Sequence, residues 1–327
     1  NFIEKKLWYD AVSDAEDEIN TNIDTDIQGY DIDPEVVRTA KETDAELVLA
    51  SDPDADRVGA AVKNNEGEWV LLNGNQTALM FVYYLITRWK ELGKIQGKEY
   101  IVKTIVTTET IKTIADRNGV GFYDVYTGFK WIANVMKQNE GKLNYIGGGE
   151  ESYGFLCEDF VRDKDAVSAC AVLAEIAAWA KDQGMSMYQL LQKIYVEYGF
   201  SKEKGISVVK KGKSGAEEIE AMMKHFRENP LKEIAGSKVT YFYDYSTLKG
   251  IDYLENETLT LDMPVTSNVL QFFTEDGTKV SIRPSGTEPK IKFYCEVHSK
   301  VNSVEELDAA DKAATEKIEA IKASLGI

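Results

Sequence analysis

YIVKTIV (Tyr100–Val106), ETIKTIADRN (Glu109–Asn118), GFYDVY (Gly121–Tyr126), FKWIANVMKQ (Phe129–Gln138) and NYI (Asn144–Ile146) follow one another with short gaps. The first, third and fifth are runs of β-branched and aromatic residues and read as strands. The second and fourth carry apolar residues at helical spacing. Strand and helix in alternation predict a parallel, doubly wound α/β sheet, because each crossover lays a helix on a sheet face. Ligands of such sheets collect outside the carboxyl ends of the strands. Three loops fall there: Thr107–Thr110, Thr127–Lys130 and Gly147–Ser152.

Upstream, Asp33-Pro34 is a helix cap followed by proline at the first helical position, predicting a helix to about Thr43. Glu46–Ala50 (ELVLA) reads as a buried strand and Val58–Lys63 as another, with a turn at Asn64–Gly67. A helix over Gln76–Leu92 closes at Gly93. Downstream, Asp165–Lys181 and Met187–Glu197 read as helices. Gly199–Gly215, rich in Lys, Gly and Ser, reads as a linker plus an edge strand. The pattern then changes. Helix Ala216–Glu228 precedes strands near Lys238–Tyr245, Val269–Thr274, Lys279–Ile282 and Ile291–Val297. A last helix opens with Ser303 and Glu306 as a capping box and runs to about Leu325. The expected architecture is a doubly wound mixed or parallel sheet followed by an α+β C-terminal domain, whose antiparallel sheet is flanked by helices. Three domains are expected, at 1–63, 64–200 and 201–327, with residues 1–33 irregular and acidic.

The chain has 38 Lys and Arg against 55 Asp and Glu, a net charge of −17. Such a surface repels nucleic acid and anionic membranes, so neither is an expected partner. No apolar run approaches the ~18 residues of a membrane span. An anionic ligand can still bind where cations gather locally, since unit charges about 4 Å apart interact by ~4 kcal/mol at an effective dielectric near 20. Cys157, Cys170 and Cys295 are odd in number and lack metal-type spacing, so they read as free thiols in a reducing, cytoplasmic setting.

DPDADR (Asp52–Arg57) directly follows the predicted ELVLA strand. Asp52, Asp54 and Asp56 alternate in a tight turn, which can aim three carboxylates at one point. Oxygen-only ligands favour Mg²⁺, Mn²⁺ or Ca²⁺ over zinc. A calcium-binding EF-hand loop would need Gly at the sixth position and Glu at the twelfth, where Arg57 and Lys63 stand. GGGEESYG (Gly147–Gly154) offers three glycines for a sharp turn close to a ligand, then Glu150, Glu151 and Ser152 as hydrogen-bonding groups suited to vicinal hydroxyls. RPSGTEPK (Arg283–Lys290) combines an Arg able to grip phosphate bidentately with the hydroxyls of Ser285 and Thr287 and an open backbone at Gly286, a candidate anion nest. Lys292 alternates onto the same strand face as Lys290. This is no Walker loop: the one Gly-Lys-Ser stretch, Gly212–Ser214, has Ser207 where the leading glycine belongs. Lys130 lies at a strand-to-helix turn, where its charge can meet a phosphate or assist proton transfer. His225 and His298 have no partner pattern and read as structural.

These loops, in this order, resemble the α-D-phosphohexomutases, and within them the bacterial phosphoglucomutase and phosphopentomutase branch. The resemblance covers roughly residues 34–327 and implies a Mg²⁺-dependent intramolecular phosphotransferase. It places Mg²⁺ on Asp52, Asp54 and Asp56, with Arg57 beside the phosphate of a phosphoserine. It places Glu150 and Ser152 on two sugar hydroxyls, and Lys130 as the basic residue contributed by its domain. Arg283, Ser285, Gly286, Thr287 and Lys292 would hold the distal phosphate. The implied ligands are glucose 1-phosphate, glucose 6-phosphate and glucose 1,6-bisphosphate; phosphopentomutase or phosphomannomutase chemistry, or a non-catalytic sugar-phosphate-binding module, are the alternatives. Two departures stand out. Many members continue the sugar motif with Gly-His where this chain has Tyr153-Gly154, and often have Arg where Lys292 stands. The family's phosphorylated serine precedes a histidine, and no Ser-His pair exists here, so the chain alone is expected to be inactive.

Overall fold

The computed structural model describes residues 34–210, 212–286 and 289–327. The sequence expectations for residues 1–33 lie outside them. The described residues form two compact units, 34–199 and 200–327.

The first unit begins with α1 (Pro34–Glu42), followed by β1 (Leu47–Ser51), β2 (Val58–Lys63) and β3 (Trp69–Leu72). These strands make an antiparallel sheet in the order β1-β2-β3. The turn at Asn64–Gly67 closes the β2–β3 hairpin, with the Asn64 side chain accepting from the N–H groups of Glu66 and Glu68. Strand β3 was not foreseen. β1 is partly exposed along its length rather than buried, as suits an edge strand. This sheet packs against α5 (Ala166–Asp182), within the first compact unit.

The alternating segment forms α2 (Gly74–Glu91), β4 (Glu99–Thr104), α3 (Thr110–Arg117), β5 (Gly121–Val125), α4 (Phe129–Asn139) and β6 (Asn144–Gly149). A short β7 (Phe155–Cys157) follows, then α5 and α6 (Met187–Tyr198). The sheet order is β5-β4-β6-β7, with β4 parallel to both β5 and β6 and β7 antiparallel. α2 starts two residues before its expected place because Asn73 and Gln76 cap each other reciprocally. It buries a nearly continuous run, Thr77–Ile86, as a helix enclosed on most sides must. α4 turns Phe129, Ile132, Val135 and Met136 onto Tyr100, Val102 and Tyr145 of the sheet. Each such side chain contributes about 1.5–3 kcal/mol by leaving water.

The second unit opens with β8 (Phe200–Val209) and α7 (Gly212–Glu228), then β9 (Glu233–Ile234), β10 (Ser237–Asp244), β11 (Lys249–Asp252) and β12 (Glu257–Thr260). β13 (Leu270–Thr274), β14 (Lys279–Pro284), β15 (Lys290–Ser299) and α8 (Leu307–Leu325) complete it. The sheet runs β12-β11-β10-β13-β14-β15-β8, antiparallel throughout, with β9 on β10. The edge strand expected within Gly199–Gly215 is β8, but it is a full ten-residue strand rather than mainly linker. The capping box also forms differently: Glu306 accepts from the Asn302 N–H at 2.7 Å, and Ser303 makes no side-chain cap bond.

The β13–β14 hairpin is fastened to α8 by Asp276, which accepts from the Thr274 and Thr278 hydroxyls, the Thr278 N–H and the Lys317 ammonium. Burial works to raise its carboxyl, but these bonds outweigh it and hold it well below the usual carboxylate range. A depressed carboxylate stabilises the fold fully above its unfolded value near ~4, and the contribution is lost as pH falls through the folded value. Asp276→Asn is therefore expected to destabilise this unit at pH 7, with the gap from wild type narrowing below about pH 4. Urea titrations read by tyrosine signals would check it, since residues 200–327 contain no tryptophan.

Candidate functional site

Asp52 lies just past the end of β1, and its carboxylate organises the loop that follows. Oδ1 accepts from the N–H groups of Asp56 and Arg57, both at 3.0 Å. The Asp52 carbonyl accepts from Ala55 N–H at 3.1 Å, and Ala55 takes a left-handed φ of +58°. The turn brings ligand oxygens of Asp52, Asp54 and Asp56 within 4.8 Å of one another. Asp52 is buried, Asp56 half-buried and Asp54 exposed. Burial, aided by the neighbouring Asp56 charge, pushes the Asp52 carboxyl up to about 6. Asp56 moves the other way: burial is outweighed by its bonds and charged neighbours, chiefly the Lys164 ammonium, which donates to Oδ2. The second Asp52 oxygen, Oδ2, is buried without a hydrogen-bond partner. A hard cation takes oxygens at ~2.0–2.6 Å, so opposed ligands sit about 4–5 Å apart. Three carboxylates at this spacing, one with an orphaned buried oxygen, fit such an ion.

The sugar motif has a different backbone from the one expected. Gly147–Gly149 do not turn; they are the last residues of β6. Their value is closeness. A Cβ on Gly148 would fall 2.4 Å from the Val102 carbonyl oxygen, and one on Gly149 would fall 2.5 Å from the Phe155 ring. The reversal comes next. Glu150 N–H donates to Gly154 O at 2.9 Å, and Tyr153 takes a φ of +70°. Left-handed non-glycine residues of this kind cost of order 1–3 kcal/mol, so surrounding contacts must hold both turns.

Those contacts join the two loops. Arg57 and Gly154 form an antiparallel bridge, and Val58 N–H donates to Tyr153 O at 3.2 Å. Lys164 lies across Gly154, where a Cβ would meet its Cδ at 2.3 Å, and reaches Asp56. Ala166 N–H, at the start of α5, donates to Ala55 O at 3.0 Å. The metal-type loop and the sugar-type loop therefore share one frame.

Within it, Glu150 is buried, and Oε1 accepts from Gly128 N–H at 2.7 Å. Burial first, and the Glu151 charge second, raise its carboxyl above the ordinary value. Ser152 is half-buried in the turn. Gly128, with φ +109°, leads into α4, so the Thr127–Lys130 loop meets the sugar motif through backbone. Lys130 is exposed in the first turn of α4, with Nζ 5.2 Å from the centre of the Trp131 ring.

The phosphate-type residues belong to the second unit. Arg283 of β14 stands directly opposite Lys292 of β15, which stands opposite Ser207 of β8. Directly opposed residues share a sheet face, so these three form one row. Ser285 N–H donates to Lys290 O at 2.8 Å and closes the hairpin. Gly286 is exposed and does not take a left-handed φ. Thr287 lies outside the described residues.

Comparison with known proteins finds the phosphoglucomutase/phosphomannomutase family at two places: its alpha/beta/alpha domain III at residues 73–198 and its C-terminal domain at 208–313. The chain belongs to this family, the α-D-phosphohexomutases. The phosphoglucomutase of Staphylococcus aureus strain MRSA252 is 37% identical over 260 residues, 80% of this chain and 46% of that protein. The strain USA300 phosphoglucomutase is 36% identical over the same shares. The chain thus spans about half the length of the curated relatives it matches. Among solved structures, a phosphoglucomutase/phosphomannomutase family protein of Burkholderia thailandensis gives a TM-score of 0.55 at 18% identity, covering 89% of this chain and 49% of that one. Open-form parafusin of Paramecium gives 0.53 at 18%, covering 92% and 49%. At this identity the two structures bear on the phosphohexomutase fold alone.

Sequence reading missed Lys164 and Thr104, whose hydroxyl donates to Glu151 Oε2 at 3.0 Å, although it placed Thr107 in one of the three loops at the strand ends. It also missed Gly74, where a Cβ would fall 1.9 Å from the Glu151 carbonyl oxygen. Propensity alone makes alanine better than glycine in a helix by ~1 kcal/mol, but overpacking of this kind costs about 1–3 kcal/mol, more where backbone is the obstacle. Gly74→Ala is therefore expected to lower the stability of the first unit, measured as a fall in the urea midpoint of tryptophan fluorescence.

Proposed function

We propose that this chain forms the C-terminal half of a Mg²⁺-dependent phosphoglucomutase, which interconverts glucose 1-phosphate and glucose 6-phosphate through glucose 1,6-bisphosphate. The observation that carries the reading is the seam from Arg57 to Gly154. It sets the three-Asp loop and the sugar-hydroxyl turn edge to edge. A cation site and a polyol site so joined suit a ligand bearing both phosphate and hydroxyls.

Asp52, Asp54 and Asp56 would hold Mg²⁺, which when bound neutralises charge on a transferring phosphoryl group. Arg57 would face that same group. Glu150 and Ser152 would take vicinal hydroxyls, and Glu150 would bind with its second oxygen while Gly128 N–H holds the first. Lys130 would contribute positive charge from the start of α4. Arg283, Ser285, Gly286 and Lys292, with Thr287, would grip the distal phosphate. Cytoplasmic residence fits the three free cysteines. Among the described residues, no helix is long and apolar enough to cross a membrane.

Transfer needs a phosphoryl donor, and the sequence contains no Ser-His pair of the kind the family phosphorylates. The chain alone is thus proposed to bind glucose 1-phosphate without converting it. Absence of saturable binding in the presence of Mg²⁺ would overturn the assignment, and glucose 6-phosphate formation would overturn the inactivity. Asp54→Ala removes an exposed ligand and is expected to weaken Mg²⁺ binding at least tenfold in calorimetric titration, with the thermal midpoint of the metal-free protein unchanged. Arg283→Ala is expected to weaken glucose 1-phosphate binding by ~1.5–3 kcal/mol, the scale of a hydrogen bond to a charged group. That is a roughly 10- to 150-fold rise in Kd.

A further inference from the structure

We propose that Glu151 is a positioning residue and not a sugar ligand: by fastening Thr104 and Thr107 it sets the turn that aims Glu150. The proposal rests on the sugar-phosphate site described above.

Two adjacent glutamates point to different ends. Glu150 is held through Gly128 N–H, while Glu151 Oε2 accepts from Thr104 Oγ1 at 3.0 Å and Thr107 Oγ1 at 3.2 Å. The two hydroxyls are 2.8 Å apart, and both threonines are fully buried. A carboxylate oxygen has about two acceptor directions, so these bonds use the capacity of Oε2.

The threonines are themselves fixed. Thr104 ends β4, and Thr107 N–H donates to its carbonyl at 3.0 Å. Lys103, one residue earlier, has a side chain only 1% exposed. Its ammonium donates to Glu109 at 2.9 Å, Asp124 at 2.7 Å and Thr104 O at 3.2 Å. All three N–H groups are used, and the 105–109 segment is held to the sheet from behind. On the far side, the Glu151 carbonyl abuts Gly74, and Asn75 Oδ1 accepts from Thr108 N–H at 3.0 Å. Glu151 is therefore gripped by side chain and main chain together, from β4 and from α2. Glu150 precedes it in the same turn, so its placement follows from that grip.

This role needs an acceptor and not a charge, because an amide oxygen can take both threonine hydroxyls. Conservative and disruptive variants should therefore separate. Glu151→Ala and the isosteric pair T104V/T107V are expected to speed amide exchange at Glu150 and Val58, whose N–H groups close the turn and the seam, by at least tenfold without ligand. They are also expected to weaken glucose 1-phosphate binding at least fivefold. Glu151→Gln and T104S/T107S are expected to restore both to within about twofold of wild type. If Glu151→Gln behaves like Glu151→Ala, or if Glu151→Ala leaves exchange at Glu150 and Val58 unchanged, the proposal is overturned. Should wild type not bind glucose 1-phosphate, the site assignment fails, and the exchange comparison still decides the role of Glu151.

Discussion

The first unit depends on the short seam where Arg57 meets Gly154. On one side is a loop that crowds three carboxylates together, and on the other a turn with a residue in the left-handed region. Neither is a low-energy arrangement by itself. Like charges repel, and the backbone at Ala55 and Tyr153 is strained. Lys164 offsets part of the charge at Asp56, and the backbone bonds across the seam hold both turns. The candidate chemistry therefore rests on these main-chain contacts together with the sheet, whose β6 leads into Glu150 and whose β4 ends at Thr104.

An acidic chain can still gather positive charge locally. The formal charge of −17 is spread over the molecule and screened by salt beyond roughly 8–10 Å. Locally the balance differs. Arg57 and Lys164 stand among the aspartates. In the second unit, Arg283 and Lys292 oppose each other across two strands. Short-range cations of this kind outweigh distant carboxylates because Coulomb energy falls with distance and with the dielectric between the charges.

Much of the fold was legible in the sequence. Segments with strong apolar period, such as Phe129–Asn139 and Val58–Lys63, fall within a residue or two of their expected bounds. Among the strands that escaped notice, β3 and β7 are apolar but only four and three residues long, while β11 and β12 are short and largely polar, held by backbone pairing that leaves no pattern. The three-Asp loop was legible because its ligands are sequence neighbours. Lys164 was not, being 108 residues from Asp56. Thr104 was not either, 47 residues from Glu151. Nothing in a linear string marks a threonine that ends a strand as the partner of a distant glutamate. The glycines were noticed for a different reason: a sharp turn close to a ligand was expected, and a strand end crowded by its neighbours is what the structure shows.

That crowding constrains how β6 could vary over evolutionary time. At Gly148 the obstacle is a main-chain carbonyl that belongs to the neighbouring strand, so no change of rotamer relieves it. At Gly149 a Cβ would meet both the Phe155 ring, at 2.5 Å, and the Gly154 carbonyl oxygen, at 2.6 Å, so shrinking Phe155 alone would not make room. Lineages exploring this segment would find both positions closed by main chain, so the end of β6 is fixed in sequence by packing before any demand of a ligand is added.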